Sequence, residues 1–254
     1  MGATKYDFSG QVAVVSGACH GIGRGSVDGF AAAGAHAVLL DIDEAAGKAA
    51  VEEIQGQGGE ATFYKCDVTS SEEVNETFRA IAGQQGRIDA MLLSAGGFFQ
   101  KLGFEETTDE EWARIMALNL TSAFLCTRAA VPVFKQQRSG AIVYIGSGAG
   151  LTGVTASPPY SAAKAGVHSL ARQTAVELAP FGVTSNAIAP GTTSTGRVDK
   201  LHGDELMQKI GETNPLGRVG QVSDTVGAVL FLCSPEGGYI TGQTLSVDGG
   251  RLMV

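Results

Sequence analysis

The chain has 254 residues, 44% of them hydrophobic, with a formal charge of -8 and a pI near 5. That is enough apolar material for a sizeable core in one α/β domain spanning 1–254. The acidic balance argues against nucleic acid or an anionic membrane as the main partner. The four cysteines, Cys19, Cys66, Cys126 and Cys233, stand alone, with no metal-type spacing. Isolated thiols fit a reducing compartment. The segment Met1 to Gly10 is polar and does not read as an apolar h-region, and no apolar run reads as long enough to span a bilayer. The expected location is therefore cytoplasmic.

In chain order, short β-branched runs alternate with longer amphipathic segments. Gln11–Ser16, Ala35–Leu40, Glu60–Lys65, Ile88–Ser94, Gly140–Ile145, Val183–Ile188 and Gln243–Val247 read as strands. Several are almost continuously apolar, as parallel strands buried on both faces are. The alternation implies a parallel sheet with helices on both sides. No linker-like shift or internal repeat interrupts it.

The first strand runs into Ser16-Gly17-Ala18-Cys19-His20-Gly21-Ile22-Gly23. Glycines at this turn would let the backbone approach a pyrophosphate at a helix N-terminus. The spacing is G-x-x-x-G-x-G rather than G-x-G-x-x-G, and the bland alternative is a tight turn. The second strand ends at Asp41, about 20 residues on, where a carboxylate would accept the ribose hydroxyls of NAD and repel a 2′-phosphate. Asp41 would serve equally as a cap for a helix starting near Asp43. His20 and Ile42 stand where NADP readers usually carry a cation. Asp67, closing the third strand, would bond adenine or cap a helix near Ser70.

Trp112, Ile115, Met116, Asn119 and Ala123 fall at helical spacing, with a polar amide inside an apolar stripe. Asn119 is either a structural link between backbone groups or an anchor beneath a site. Ser157-Pro158-Pro159 reads as a helix start. Tyr160 and Lys164 then share one helix face, where an ammonium would lower the phenol pKa toward working pH. Alone, Tyr-x-x-x-Lys is common surface chemistry. Ser147 ends the preceding strand, at the sheet edge where ligands bind.

Together these motifs resemble the short-chain dehydrogenase/reductase family, from about Phe8 to Gly250. The residues that carry the likeness are Gly17/Gly21/Gly23, Asp67, Asn119, Ser147, Tyr160 to Lys164, Asn186 to Gly191, and Ile240 to Gly250. The resemblance implies a Rossmann-like doubly wound sheet of about seven parallel strands. It implies hydride transfer between NAD and a secondary alcohol or ketone, with no metal. Tyr160 would be the acid/base, Ser147 would polarise the carbonyl oxygen, and Lys164 would tune Tyr160 and hold the nicotinamide ribose. Asn119 would position a proton-relaying water. The cofactor would lie along Gly17, His20, Gly21, Ile22 and Gly23, beside Asp41, Ile42, Asp67 and Val68. It would continue past Ser94, Ala95 and Gly96 to Tyr160 and Lys164, with Pro190, Gly191, Thr192, Thr193 and Thr195 around the nicotinamide. Two departures stand out: Ser94 replaces a common Asn, and Ser16 replaces a common Thr.

Gly97-Phe98-Phe99, Leu151 to Thr155 and Ser194 to Glu212 are expected around the mouth. The segment after Pro190 is expected to be mobile without ligand, and Arg197 and Lys200 are either solvated or facing a carboxylate. Members of the family are usually tetramers or dimers, and the apolar tail Leu252-Met253-Val254 would suit a subunit contact. The other readings are a carbonyl or acyl-thioester reductase using NADP, an isomerase or dehydratase with bound NAD, and an NAD sensor without turnover.

Overall fold

The computed structural model describes residues 6–97, 100–153 and 157–253. Seven parallel strands form one sheet in the order β3-β2-β1-β4-β5-β6-β7. They are β1 (Val12–Ser16), β2 (His36–Asp41), β3 (Glu60–Lys65), β4 (Ala90–Leu93), β5 (Gly140–Ile145), β6 (Val183–Pro190) and β7 (Thr244–Val247). The order reverses between β1 and β4, which opens a crevice at the carboxyl ends of the strands.

Side chains alternate across the sheet and build one core on each face. Val12 and Val14 join Val74, Phe78 and Ile81 of α3 (Ser71–Gln85), Cys126 and Phe134 of α5 (Ser122–Gln137), and Val167 and Leu178 of α6 (Pro158–Leu178). Ala13 and Val15 join Val27 and Phe30 of α1 (Gly21–Ala32), Ile54 of α2 (Glu44–Gly56), and Val229 and Leu232 of α8 (Val222–Cys233). Helices thus cover both faces, and β1 is fully buried, in keeping with its continuous apolar run.

Between α4 (Asp109–Met116) and α5 the chain makes a π turn, Ala117–Thr121, within one long helix. This Asp109–Gln137 run is long and apolar enough to cross a membrane, which its scattered polar residues concealed in the sequence. Its buried residues belong to the sheet's core, so it is a core helix. The last long helix, α7 (Gly196–Thr213), is kinked at Gly203, where φ is 69°.

Candidate active site

The glycine turn shows three different reasons for glycine. Gly17 has φ 64°, and a Cβ there would lie 2.7 Å from the Ala95 Cα, so the turn rests directly on the chain leaving β4. Gly21 opens α1 with φ 54°. A Cβ on Gly23 would lie 1.9 Å from the Gly17 carbonyl oxygen, so the first turn of α1 closes against the end of β1 only because that side chain is missing. The result is a side-chain-free cradle at the N-terminus of α1, fitted to an anionic group that approaches main-chain N–H donors. Ile22 is half-buried beside it, and His20 is exposed, its Nε2 3.2 Å from Asp43 Oδ2.

Asp41 is tied into the same rim. Its carboxylate accepts from the Cys19 N–H (3.0 Å) and the Asp43 N–H (3.1 Å). The cap of α2 is Asp43, which accepts from Ala46, so the capping role considered for Asp41 belongs to its neighbour. Burial, with the Asp41 carboxylate next, pushes the Cys19 thiol up to about 12 and keeps it protonated. Ile42 is 66% exposed at the rim, an apolar face free to meet a flat ring. Asp67 accepts from both the N–H and the hydroxyl of Thr69, while Ser70 caps α3. Val68 is buried in the core, so only its main chain faces outward contacts.

At the crevice floor, Ser94, Ala95 and Gly96 leave β4 half-buried. The Ser94 N–H donates to the Ser16 carbonyl (3.2 Å), and the Ala95 N–H to the Ser16 hydroxyl (3.5 Å). Asn119 answers both readings made of it. Its Oδ1 accepts from the Gly97 N–H (2.8 Å), and its Nδ2 donates to the Gly97 carbonyl (3.0 Å). A π turn moves main-chain bonding from the i−4 to the i−5 carbonyl, and Nδ2 falls on the i−4 carbonyl of Ile115 (3.1 Å). Asn119 therefore links backbone groups and, in doing so, fixes the floor: a Cβ on Gly96 would lie 2.7 Å from Asn119 Oδ1 and 3.3 Å from Lys164 Nζ. Trp112 of the same stripe is 43% exposed and takes no part in the core.

Ser147 follows β5, and its hydroxyl accepts from the Ala149 N–H (3.2 Å) and bonds Tyr160. Ser157 sits at the N-cap position of α6 without a side-chain capping bond, and Pro158 opens the helix. Lys164 is 3% exposed and donates to the Ile145 carbonyl at 2.8 Å. Its ammonium lies 5.7 Å from the Tyr160 ring centroid, over the ring. The expected lowering of the Tyr160 pKa is not what this geometry gives. Burial raises the phenol above its ordinary value, and the Ser147 hydrogen bond opposes it without cancelling it. Burial also lowers Lys164 itself, to about 8. Of the expected catalytic tetrad, Asn119, Ser147, Tyr160 and Lys164, the shared helix face of Tyr160 and Lys164 was legible in the spacing; the desolvation of both groups was not.

Beyond β6, Gly191 passes so close to Asp248 that a Cβ would lie 2.8 Å from its Cα. Pro190 and Thr192 are half-buried. Thr193 is buried and donates to the Gly191 carbonyl (3.1 Å), so its hydroxyl serves the turn. Thr195 caps α7, and its methyl would meet a Cβ on Gly21 at 3.2 Å. Two residues on, Arg197 Nη1 donates to the Gly96 carbonyl (2.9 Å). The start of α7 thus touches both rims of the crevice, and Arg197 contacts protein rather than standing only in solvent.

Two contributors carried weak signals. Gly150, inside the glycine-rich stretch after β5, lets that loop rest on the α6 main chain: a Cβ would lie 2.5 Å from Ala165 N. Asp248 accepts from the Gly250 and Leu252 N–H groups (2.9 and 2.8 Å) and folds the tail inward. Leu252 then packs on Gly148 of its own chain rather than standing free, while Met253 is 83% exposed. Phe98, Phe99, Val154, Thr155 and Val254 lie outside the described residues. Among the described residues, no group of His, Cys, Asp and Glu is arranged to hold a metal ion.

Residues 17–251 match the family model described as enoyl-(acyl carrier protein) reductase. The chain is 38% identical over 248 residues to a 3-oxoacyl-[acyl-carrier-protein] reductase of Synechocystis, covering 97% of this chain and 98% of the other. It is 34% identical to a 2,5-dichloro-2,5-cyclohexadiene-1,4-diol dehydrogenase of Sphingobium indicum, covering 96% of each. Among solved structures, it superposes on a 7α-hydroxysteroid dehydrogenase complexed with NADH and 7-oxo glycochenodeoxycholic acid. That match has a TM-score of 0.92 and 32% identity, over 98% of both chains.

Proposed function

The chain is an oxidoreductase of the short-chain dehydrogenase/reductase family, and from that premise we propose that it moves a hydride between NAD and a secondary alcohol or its ketone. The single observation that carries this reading is the convergence of Ser147, Tyr160 and Lys164 beside Gly96 at the sheet's switch point. The nicotinamide, when bound, supplies or accepts the hydride. The rest is done by side chains. Tyr160 takes the hydroxyl proton in oxidation and returns it in reduction. Ser147, already bonded to Tyr160, stabilises charge developing on the substrate oxygen. Lys164 holds a cofactor hydroxyl and passes protons at Nζ, and Asn119 fixes the floor beneath it. We assign catalysis and dinucleotide binding to one domain, residues 1–254, because a single sheet with one core on each face carries every site residue.

NAD rather than NADP is supported by Asp41, held at the rim by two main-chain donors where a 2′-phosphate would meet its charge. Near that rim Lys65 is paired with Glu44, and the exposed His20 ring bonds Asp43. Since cellular NAD is mostly oxidised, the favoured direction is alcohol oxidation. The relatives' names support a first panel of cyclic alcohols, steroid alcohols and 3-hydroxyacyl thioesters. The buried unpaired thiols support a cytoplasmic location. Phe124 of α5, 45% exposed beside a groove that Leu170 of α6 also lines, supports a homodimer or homotetramer.

The test is binding of NADH and NADPH by fluorescence, followed by the alcohol panel, with Tyr160→Phe and Asp41→Asn alongside. NADH should bind more tightly than NADPH, and Asp41→Asn should shrink that ratio about tenfold or more, as loss of a charged hydrogen bond does. Tyr160→Phe should bind NADH and turn nothing over. Preference for NADPH with turnover of the thioester would favour the acyl-thioester reductase reading that the Synechocystis relative suggests. NADH binding without any turnover would favour a sensor or a non-redox enzyme.

A further inference from the structure

One buried titratable side chain outside the tetrad touches the catalytic loop. His168 lies on α6 at the i+4 position from Lys164 and the i+8 position from Tyr160, so the three share a face. It is 2% exposed. Its Nε2 lies 3.0 Å from the Ser147 carbonyl oxygen, and its Nδ1 lies 3.3 Å from Thr244 Oγ1 on β7. A carbonyl only accepts, so Nε2 carries the proton. In the neutral ring Nδ1 is then an acceptor, and the Thr244 hydroxyl donates to it. Burial, together with the charges of Lys164 and Arg172, lowers the His168 pKa and favours that neutral ring, against the Ser147 carbonyl. Gly146 completes the fit: a Cβ there would lie 2.2 Å from the imidazole.

This contact matters because of where Ser147 stands. It is flanked by Gly146 and Gly148, the two residues that restrain a chain least. The main chain at Ser147 is extended, and it turns at once into the short 3-10 segment Gly148–Gly150. Main-chain bonds hold part of this loop, Gly146 N–H to the Ile188 carbonyl (2.7 Å) and Gly150 N–H to the Ser147 carbonyl (3.0 Å), and His168 adds to the same carbonyl a side-chain bond from outside the loop.

We propose that His168 is a positioning residue: held as the Nε2–H tautomer by Thr244, it anchors the Ser147 carbonyl and so sets the Ser147 hydroxyl against Tyr160. The chain of contacts runs from β7 through His168 to Ser147 and then to Tyr160. The proposal rests on the reading of Ser147 and Tyr160 as catalytic. A misplacement of about 1 Å in such a group costs about 100-fold in rate.

The test compares two variants of similar bulk. His168→Gln keeps an N–H donor, and His168→Leu removes it. Wild-type turnover is measured first. Expected next is a kcat for His168→Leu lower by about 10- to 100-fold, with NADH affinity unchanged and KM for the alcohol little moved, and His168→Gln recovering most of kcat. In ¹⁵N spectra of the imidazoles, the wild type should show a neutral Nε2–H ring that His168→Leu lacks and that Thr244→Val perturbs. Wild-type kcat in His168→Leu, equal losses in both variants, or a protonated Nδ1 in the wild type would overturn the anchor. A wild type with no alcohol or ketone turnover would overturn the catalytic reading instead, with the anchor's purpose, and would be seen before any variant is made.

Discussion

Lys164 shows what a single residue costs a fold. The residue is 3% exposed, and burial lowers its pKa from 10.5 to about 8. Below pH 8 the side chain is charged in both the folded and the unfolded chain, and the desolvation cost is felt in full, at ~3 kcal/mol for a shift of that size. Between pH 8 and 10.5 the unfolded chain binds more protons than the folded one, so this group's contribution to stability rises with pH. The bond to the Ile145 carbonyl offsets part of the cost. Lys164→Met is therefore expected to be inactive yet more heat-stable at pH 7, by roughly 2–5 °C. The gap should narrow as the pH approaches 10. Thermal midpoints of both proteins across pH 6 to 10 measure it; a variant that is less stable at every pH would mean that the ammonium sits without strain. Tyr160, its pKa raised by burial, belongs to the same trade, in which a site is kept dry at the expense of stability.

At the scale of elements, one substitution has opposite signs in two places. Gly150→Ala would put a Cβ 2.5 Å from main-chain atoms of Lys164 and Ala165, which cannot swing aside. The loop after Ser147 would have to lift, so kcat should fall about 10-fold or more while NADH still binds. Gly83→Ala on α3 has open space and ordinary helical backbone, and should stabilise by about 0.5–1 kcal/mol in denaturant unfolding. The sequence made the strands legible because continuous β-branched runs leave few alternatives to burial on both faces. At two of the boundaries that moved, a side chain had intervened: Ile88 was expected in β4, but its N–H and carbonyl are taken by the Gln137 amide. Gln243 was expected in β7, but its N–H goes to Asn186 Oδ1. The π turn at Asn119 had no local signature, since Ala117 to Thr121 reads as ordinary helix. The shared face of Tyr160 and Lys164 was legible from spacing, because positions four apart on a helix must share a face; Asn119 and Ser147 joined them through the family resemblance. His168 stood four further along the same face, but its partner is a main-chain carbonyl on another element, and spacing does not show such partners.

At the scale of the whole molecule, the charge of -8 is spread over a surface that still leaves apolar side chains on one face of α5 and α6. Leu120, Phe124 and Leu170 line a groove there with Gly166, whose missing side chain leaves room for Leu120 beside it. Phe124 is 45% exposed, with Arg128 stacked over its ring at 5.2 Å. Tyr160 and Lys164 are carried by α6, and Asn119 by the turn that leads into α5, so the helices that would meet a second copy are those that set the tetrad. Leu120 and Leu170 are already half-buried against the core, so Phe124 has the most apolar surface left to cover, and covering it contributes about 1–2 kcal/mol. We expect the protein to sediment as a dimer or tetramer and Phe124→Glu to shift it toward monomer. Charge repulsion across a two-fold contact would act twice, once for each copy. Activity should fall with the assembly at low protein concentration and return at high concentration, since Phe124 lies outside the crevice. A wild type that sediments as a monomer would remove the assembly from the account; a Phe124→Glu protein that stays assembled would move the contact to another face.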